Sequence, residues 1–157
     1  MIKKTREAKP RARKRPSSQM VPDDTCPTCG AQMRPRTGRF DHRVNGEEIF
    51  VSGIPHLDCP RCHEKLFTLE QMRMIDQGAY EIYRKKYGLL SPEEIRAIRE
   101  KHGLTQAAFA KLLRLGDNTV SRWEANRNVQ TAAMDTLLRL IRDLPGSLAY
   151  LRRRRAA

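Results

Sequence analysis

The rhythm of apolar and polar residues changes three times along the 157-residue chain. Residues 1–22 are nearly free of apolar side chains and hold Lys3, Lys4, Arg6, Lys9, Arg11, Arg13, Lys14 and Arg15 with three prolines. Such a segment buries no core and is expected to be disordered. From Phe40 to Val51 the chain reads F-D-H-R-V-N-G-E-E-I-F-V, with Asn45-Gly46 at its centre. Asn-Gly tolerates the positive φ angles of a two-residue turn, so a short antiparallel hairpin is expected. Leu69, Met72, Ile75, Ala79, Ile82 and Tyr83 then recur at helical spacing, which predicts a helix over 68–87. Gly78 is its weak spot and Gly88 its stop.

Residues 91–144 read as all-helical. Ser91-Pro92-Glu93-Glu94 is a capping box: Ser91 caps, Pro92 sits in the first turn and Glu94 reaches back. Further helices are expected from Thr105 to Leu113, from Asp117 to Ala125 and from Thr131 to Asp143. In the last, Met134, Leu137, Leu138, Ile141 and Leu144 form one stripe, and Pro145-Gly146 ends it. Arg152 to Arg155 read as a frayed end. The pattern as a whole predicts an α+β chain: a small β domain, which the cysteine pairs Cys26/Cys29 and Cys59/Cys62 mark as zinc-ribbon-like, joined by a helix to an all-α domain. Its expected divisions are a basic tail at 1–22, a metal-binding domain at 23–67, a connector helix at 68–90, a helical domain at 91–151 and a basic tail at 152–157.

Charge narrows the range of partners. Lysine and arginine outnumber the acids by 31 to 18, a net +13, which favours a polyanion, most simply nucleic acid. No run of about 18 apolar residues exists to cross a membrane. The opening MIKKTREAKPRARKRPSSQ has no apolar stretch behind its charges, so it does not read as a secretory signal. The chain is expected in the cytoplasm, where structural disulfides are disfavoured.

The cysteines need another explanation. Cys26-Pro27-Thr28-Cys29 and Cys59-Pro60-Arg61-Cys62 are two C-x-x-C pairs with 29 residues between them. Two-residue spacing turns both sulfurs of a pair toward one point, and two pairs present four thiolates to one tetrahedral ion. Zn²⁺ suits that ligand set and would stabilise about 45 residues with few large apolar side chains. Cys59-Pro60-Arg61-Cys62-His63 is also a haem-attachment pattern, but that leaves Cys26 and Cys29 unexplained. A redox pair needs only one of the two motifs, and an iron–sulfur cluster would use the same four ligands. His63 is assigned to the surface or to the surroundings of the ligands, with His42 and His56 as poorer ligand candidates. Four cysteines close the site and leave no open position for catalysis, so no enzyme is expected.

Leu104 to Glu124, L-T-Q-A-A-F-A-K-L-L-R-L-G-D-N-T-V-S-R-W-E, carries a second chemistry. Phe109, Ala110 and Leu113 point inward, Leu115 plugs a turn, and Val120 and Trp123 anchor the next helix. Asp117, Asn118, Thr119, Ser121 and Arg122 are left outside. In a helix-turn-helix the second helix enters the major groove, where Asn pairs with adenine and Arg with guanine. Asn118 and Arg122 are four apart, hence on one face, and are the candidate base readers. Thr105, Gln106, Lys111, Thr119, Ser121 and Arg127 are candidate supporting DNA contacts, with Gln106, Lys111 and Arg127 on phosphates.

The stretch resembles the Cro/phage-repressor (XRE) class. Arg114 and Asn126 stand where many members carry glycine, so both are expected in strained or left-handed backbone. A two-knuckle zinc domain, a connector helix and this motif resemble the MqsA antitoxin family, with YgiT-type zinc fingers. The likeness covers about 24–144 and includes G-x-N-x-x-S-R-[aromatic]-E at Gly116, Asn118, Ser121, Arg122, Trp123 and Glu124. It implies structural zinc, an N-terminal domain that grips an mRNA-cleaving toxin endoribonuclease, and a C-terminal domain that dimerises and represses its own operon. Dimerisation also follows from packing: three core helices cannot cover the last stripe plus Leu148 and Leu151, whereas a second copy could. A two-fold dimer implies a palindromic double-stranded operator. The alternatives are a stand-alone regulator with a zinc domain, a thiol redox sensor, and an RNA-binding ribbon. The last lacks a stacking platform, since only nine aromatic residues are present.

Overall fold

A computed structural model describes residues 24–156; the basic tail expected over 1–22 lies outside the described residues. Three antiparallel strands, β1 (Arg34–Val44), β2 (Glu47–Asp58) and β3 (Lys65–Leu66), form one sheet in the order β1-β2-β3. Six helices follow: α1 (Leu69–Tyr87), α2 (Pro92–Lys101), α3 (Gln106–Leu112), α4 (Thr119–Glu124), α5 (Ala132–Asp143) and α6 (Ser147–Ala156). The α+β class is thus met.

The hairpin turns at Asn45-Gly46, both at positive φ (49° and 89°), as the Asn-Gly signal requires. Its strands run well beyond Phe40–Val51, from Arg34 to Asp58. Val44, Ile49, Val51 and Ile54 are buried on one face. That face receives α1 through Ile75 and Ala79. The helix expected as a connector is therefore packed along the sheet. Leu69, at 80% exposure, and the more than 40% exposed Met72 and Ile82 lie off the packed face, because the contact follows Ile75, Ala79 and Tyr83. Gly78 is a packing requirement: a Cβ there would sit 2.8 Å from Val51 Cγ1, so helix and sheet approach closely only without it.

Ser91 caps α2 with both bonds of its capping box. Thr68 and Gln71 make the same box on α1, and Thr105 and Thr131 cap α3 and α5. The core between α2 and α6 holds Leu90, Ile95, Ile98, Phe109, Val120, Trp123, Leu138 and Ile141. The arginine run expected to fray instead belongs to α6, whose Leu148 is buried against that core. Leu148 is thus covered within one chain, contrary to the expectation that it needs a second copy. Leu140, Leu144 and Tyr150 stay exposed.

Candidate metal centre and nucleic-acid interface

The two C-P-x-C segments fold alike. In each, the backbone N–H of the residue just after the second cysteine closes on the carbonyl of the first: Gly30 N–H donates to Cys26 O and His63 N–H to Cys59 O, both at 2.9 Å. Cys26 N–H donates to Ala31 O at 2.8 Å, and Cys59 N–H to Glu64 O at 2.9 Å. Gly30 and His63 occupy matching left-handed positions (φ 70° and 60°). His63 is therefore the counterpart of a turn glycine, exposed to solvent and outside the sulfur cluster. His56 is buried, bonded through Nδ1 to Ile54 O and stacked on Phe67. His42 pairs with Asp76 on α1.

Knuckle geometry brings all four Sγ atoms within 4.8 Å of one another. Cys26 lies 3.5 Å from Cys62, and Cys29 3.5 Å from Cys59. Sulfurs bound tetrahedrally at 2.3 Å to zinc stand about 3.8 Å apart, so the cluster fits a metal of that size. Its electrostatics point the same way. Backbone amides, Cys62 first and then Arg61, hold the Cys59 thiol down at about 6 against burial. At Cys62 the Glu64 amide pulls downward, but desolvation and the sulfurs of Cys26, Cys29 and Cys59 push it up to about 12. Cys59 and Cys62 are thus driven apart; a divalent cation among the sulfurs would favour the ionised form of both.

The helix-turn-helix is built from α3, the turn at 113–118 and α4. Ala110 is fully buried, and Leu115 N–H donates to Ala110 O at 2.9 Å to close the turn. Arg114 (φ 57°) and Asn126 (φ 53°) are both left-handed, as their places in the pattern imply. Val120 and Trp123 are buried, whereas Asn118 and Arg122 are exposed and joined by the Arg122 N–H to Asn118 O bond at 3.1 Å. α4 is shorter than expected: Asp117 lies before it and Asn118 is its N-cap. The Asn118 amide makes no capping bond, so it remains available to an outside partner. Thr105, Lys111 and Arg127 are exposed, Thr119 and Ser121 half-buried. Gln106 differs from its expected role, because its Nε2 donates inward to Glu124 Oε2 at 2.8 Å.

Glu124 is the hub of this inward network. Its carboxylate, 1% exposed, accepts from Arg99 Nε at 2.6 Å and lies 3.5 Å from Arg96 Nε. Burial pushes its pKa up, but the bonds from Arg99 and Gln106 outweigh it and hold it below the ordinary value. The Glu-ended motif showed the residue without its task. Three further buried groups had no signal in the pattern: Arg84, Gln130 and Asp135. Asp135 accepts from Leu90 N–H at 2.7 Å, and Gln130 Nε2 donates to Leu90 O at 2.8 Å. Among the described residues no helix is long and apolar enough to cross a membrane.

The model of a family described as the antitoxin component of a bacterial toxin-antitoxin system, MqsA, matches residues 24–152. Antitoxin HigA-2 of Vibrio cholerae is 36% identical over 62 residues, which cover 40% of this chain. The chain spans 60% of the length of that curated relative.

Proposed function

This chain belongs to the MqsA antitoxin family, and on that premise we propose that it is a DNA-binding repressor of its own operon that also neutralises a toxin. The observation that carries the DNA reading is the face of α4. Asn118 and Arg122 stand outside one turn apart, while Val120 and Trp123 hold the helix from within. Asn118 pairs with adenine and Arg122 with guanine in the major groove. Thr105, Lys111, Thr119, Ser121 and Arg127 support the docked helix, and Gln106 does so with what its Glu124 bond leaves free. The role is non-enzymatic and belongs in the cytoplasm with the operon.

Zinc is the ion of Cys26, Cys29, Cys59 and Cys62, and it fixes both knuckles. The chain acts as two units, with α1 serving the N-terminal one. Residues 23–67 face an mRNA-cleaving toxin, and residues 91–151 read DNA. Leu140, Leu144 and Tyr150 line an apolar groove with Pro145 and Leu151, and a second copy there makes a dimer with a palindromic operator.

Binding to the chain's own upstream DNA and to random duplex, at fixed salt, tests the reading. Arg122→Ala is expected to cost about 1–3 kcal/mol on the operator and little on random DNA. Equal losses on both would make Arg122 a phosphate contact. A wild-type protein with no preference for its upstream DNA would overturn the repressor role.

A further inference from the structure

Arg84 departs from what its position dictates. It lies in the last turn of α1 with Lys85 and Lys86, where basic side chains complement the helix dipole from solvent. Lys85 and Lys86 are exposed, but Arg84 is only 5% exposed. Desolvation lowers its guanidinium pKa, and its Nε is buried without a hydrogen-bond partner. Burying a charge incompletely paired is costly, so the contact it makes is notable.

That contact is with the exit of α4. Arg84 Nη1 donates to Asn126 Oδ1 at 2.5 Å, and Nη2 to Asn128 O at 2.8 Å. Asn126 is the left-handed residue at which the helix ends, and Arg127 N–H closes it on Arg122 O at 2.8 Å. The guanidinium thus grips the segment that terminates the helix carrying Asn118 and Arg122. The neighbouring Val129 is 3% exposed and packs with Val44, Ile49, Val51 and Ile54 of the hairpin. Gly88–Leu90, which links the halves, is held by Arg139 on Gly88 O at 2.7 Å and by Asp135 on Leu90 N–H.

We propose that Arg84 is a positioning residue for operator reading: from α1 it fixes the exit of α4, and so the pose of Asn118 and Arg122, relative to the hairpin. The proposal rests on the operator reading given above. It makes the N-terminal half a part of the DNA-reading device, although it contributes no base contact. A ligand that displaces α1 from the hairpin would loosen operator binding through this grip.

The test uses the full chain as Arg84→Met, which keeps the buried stem, as Arg84→Lys, which keeps charge and one direction of donation, and as Asn126→Gly. The last keeps the left-handed backbone and removes only the acceptor. Arg84→Met and Asn126→Gly are expected to weaken binding to the upstream operator about tenfold, with Arg84→Lys intermediate. Binding to random duplex and the salt dependence should stay as in wild type, because Arg84 touches no phosphate. Lower melting temperatures with unchanged operator affinity in the folded variants would reduce Arg84 to a structural role and overturn the proposal alone. A fall in the salt slope would make Arg84 a phosphate contact and overturn it too. A wild type that does not prefer its operator would overturn the underlying reading and this proposal with it.

Discussion

Cys26, Met33 and Cys59 are the buried residues around the knuckles, whereas Leu90, Ile95, Ile98, Phe109, Val120, Trp123, Leu138 and Ile141 fill the space between α2 and α6. The difference decides what holds each region together. Burying a large apolar side chain contributes about 1.5–3 kcal/mol, so the helical region has a core able to offset the entropy of ordering its chain. The knuckle region has one such side chain and four crowded thiols. A metal held by the four thiols would supply the missing order, since a structural zinc site contributes about 10–16 kcal/mol of binding energy. The hairpin and α1 stand between these extremes, with an apolar cluster of their own that reaches Val129 beyond α4.

The largest expected effect therefore belongs to the metal. A strong chelator should make all four cysteines titratable and disorder the knuckles, while Trp123 keeps its buried fluorescence. Loss of the Trp123 signal at the same chelator concentration would break the contrast between the two regions. Thiols that react fully before chelation would favour the redox reading over the metal.

Next comes Glu124→Ala, which strips half-buried Arg99 of its bonds to the carboxylate, leaving it Leu104 O and Glu100, and should destabilise the helical region by about 3 kcal/mol, read by denaturant unfolding. The knuckle thiols should stay protected. Acid sharpens this result. The folded pKa of Glu124 lies below 4.5, so its contribution is complete above pH 4.5 and disappears as pH falls through the lower folded value. Glu124→Gln should remove that acid-sensitive share; an unchanged acid-unfolding midpoint would assign it to other carboxylates.

The smallest effect is expected at the seam. Gly78→Ala places a Cβ 2.8 Å from Val51 Cγ1, and overpacking of this kind costs about 1–3 kcal/mol. Faster amide exchange across α1 and β2, with α5 unaffected, would mark the contact as local. Slower exchange would show that the seam tolerates a methyl group.

What the chain disclosed and what it concealed divide by physical cause. Elements fixed by local chemistry were readable: the Asn45-Gly46 turn and the Ser91 box. The left-handed places of Arg114 and Asn126 came instead from the resemblance, because many members carry glycine there. The Thr68–Gln71 box is a cap of the Ser91 kind that the reading of this helix did not use, although T-x-x-Q spans its start. The repeated C-P-x-C turn also explains why a histidine follows Cys62, because it sits where Gly30 sits in the first knuckle. Long-range pairings left no local trace. Arg84 looks like one more basic residue at a helix end, and only the folded chain brings it to Asn126, 42 positions away. Gln130 and Asp135 carry no local mark of burial, because the group they bond, the Leu90 backbone, lies 40 and 45 positions away. Leu69 and Ile82 kept helical spacing without a sheet to cover them, so periodicity overestimated the packed face of α1.

A growth assay bears most directly on the central claim, that this chain is an antitoxin acting through a partner. The short open reading frame beside its gene is induced alone and then together with the chain. Arrest that the chain relieves is the expected result, with relief reduced when Cys59→Ser disrupts the knuckles. Arrest that the chain cannot relieve, or no arrest at all, would contradict the claim.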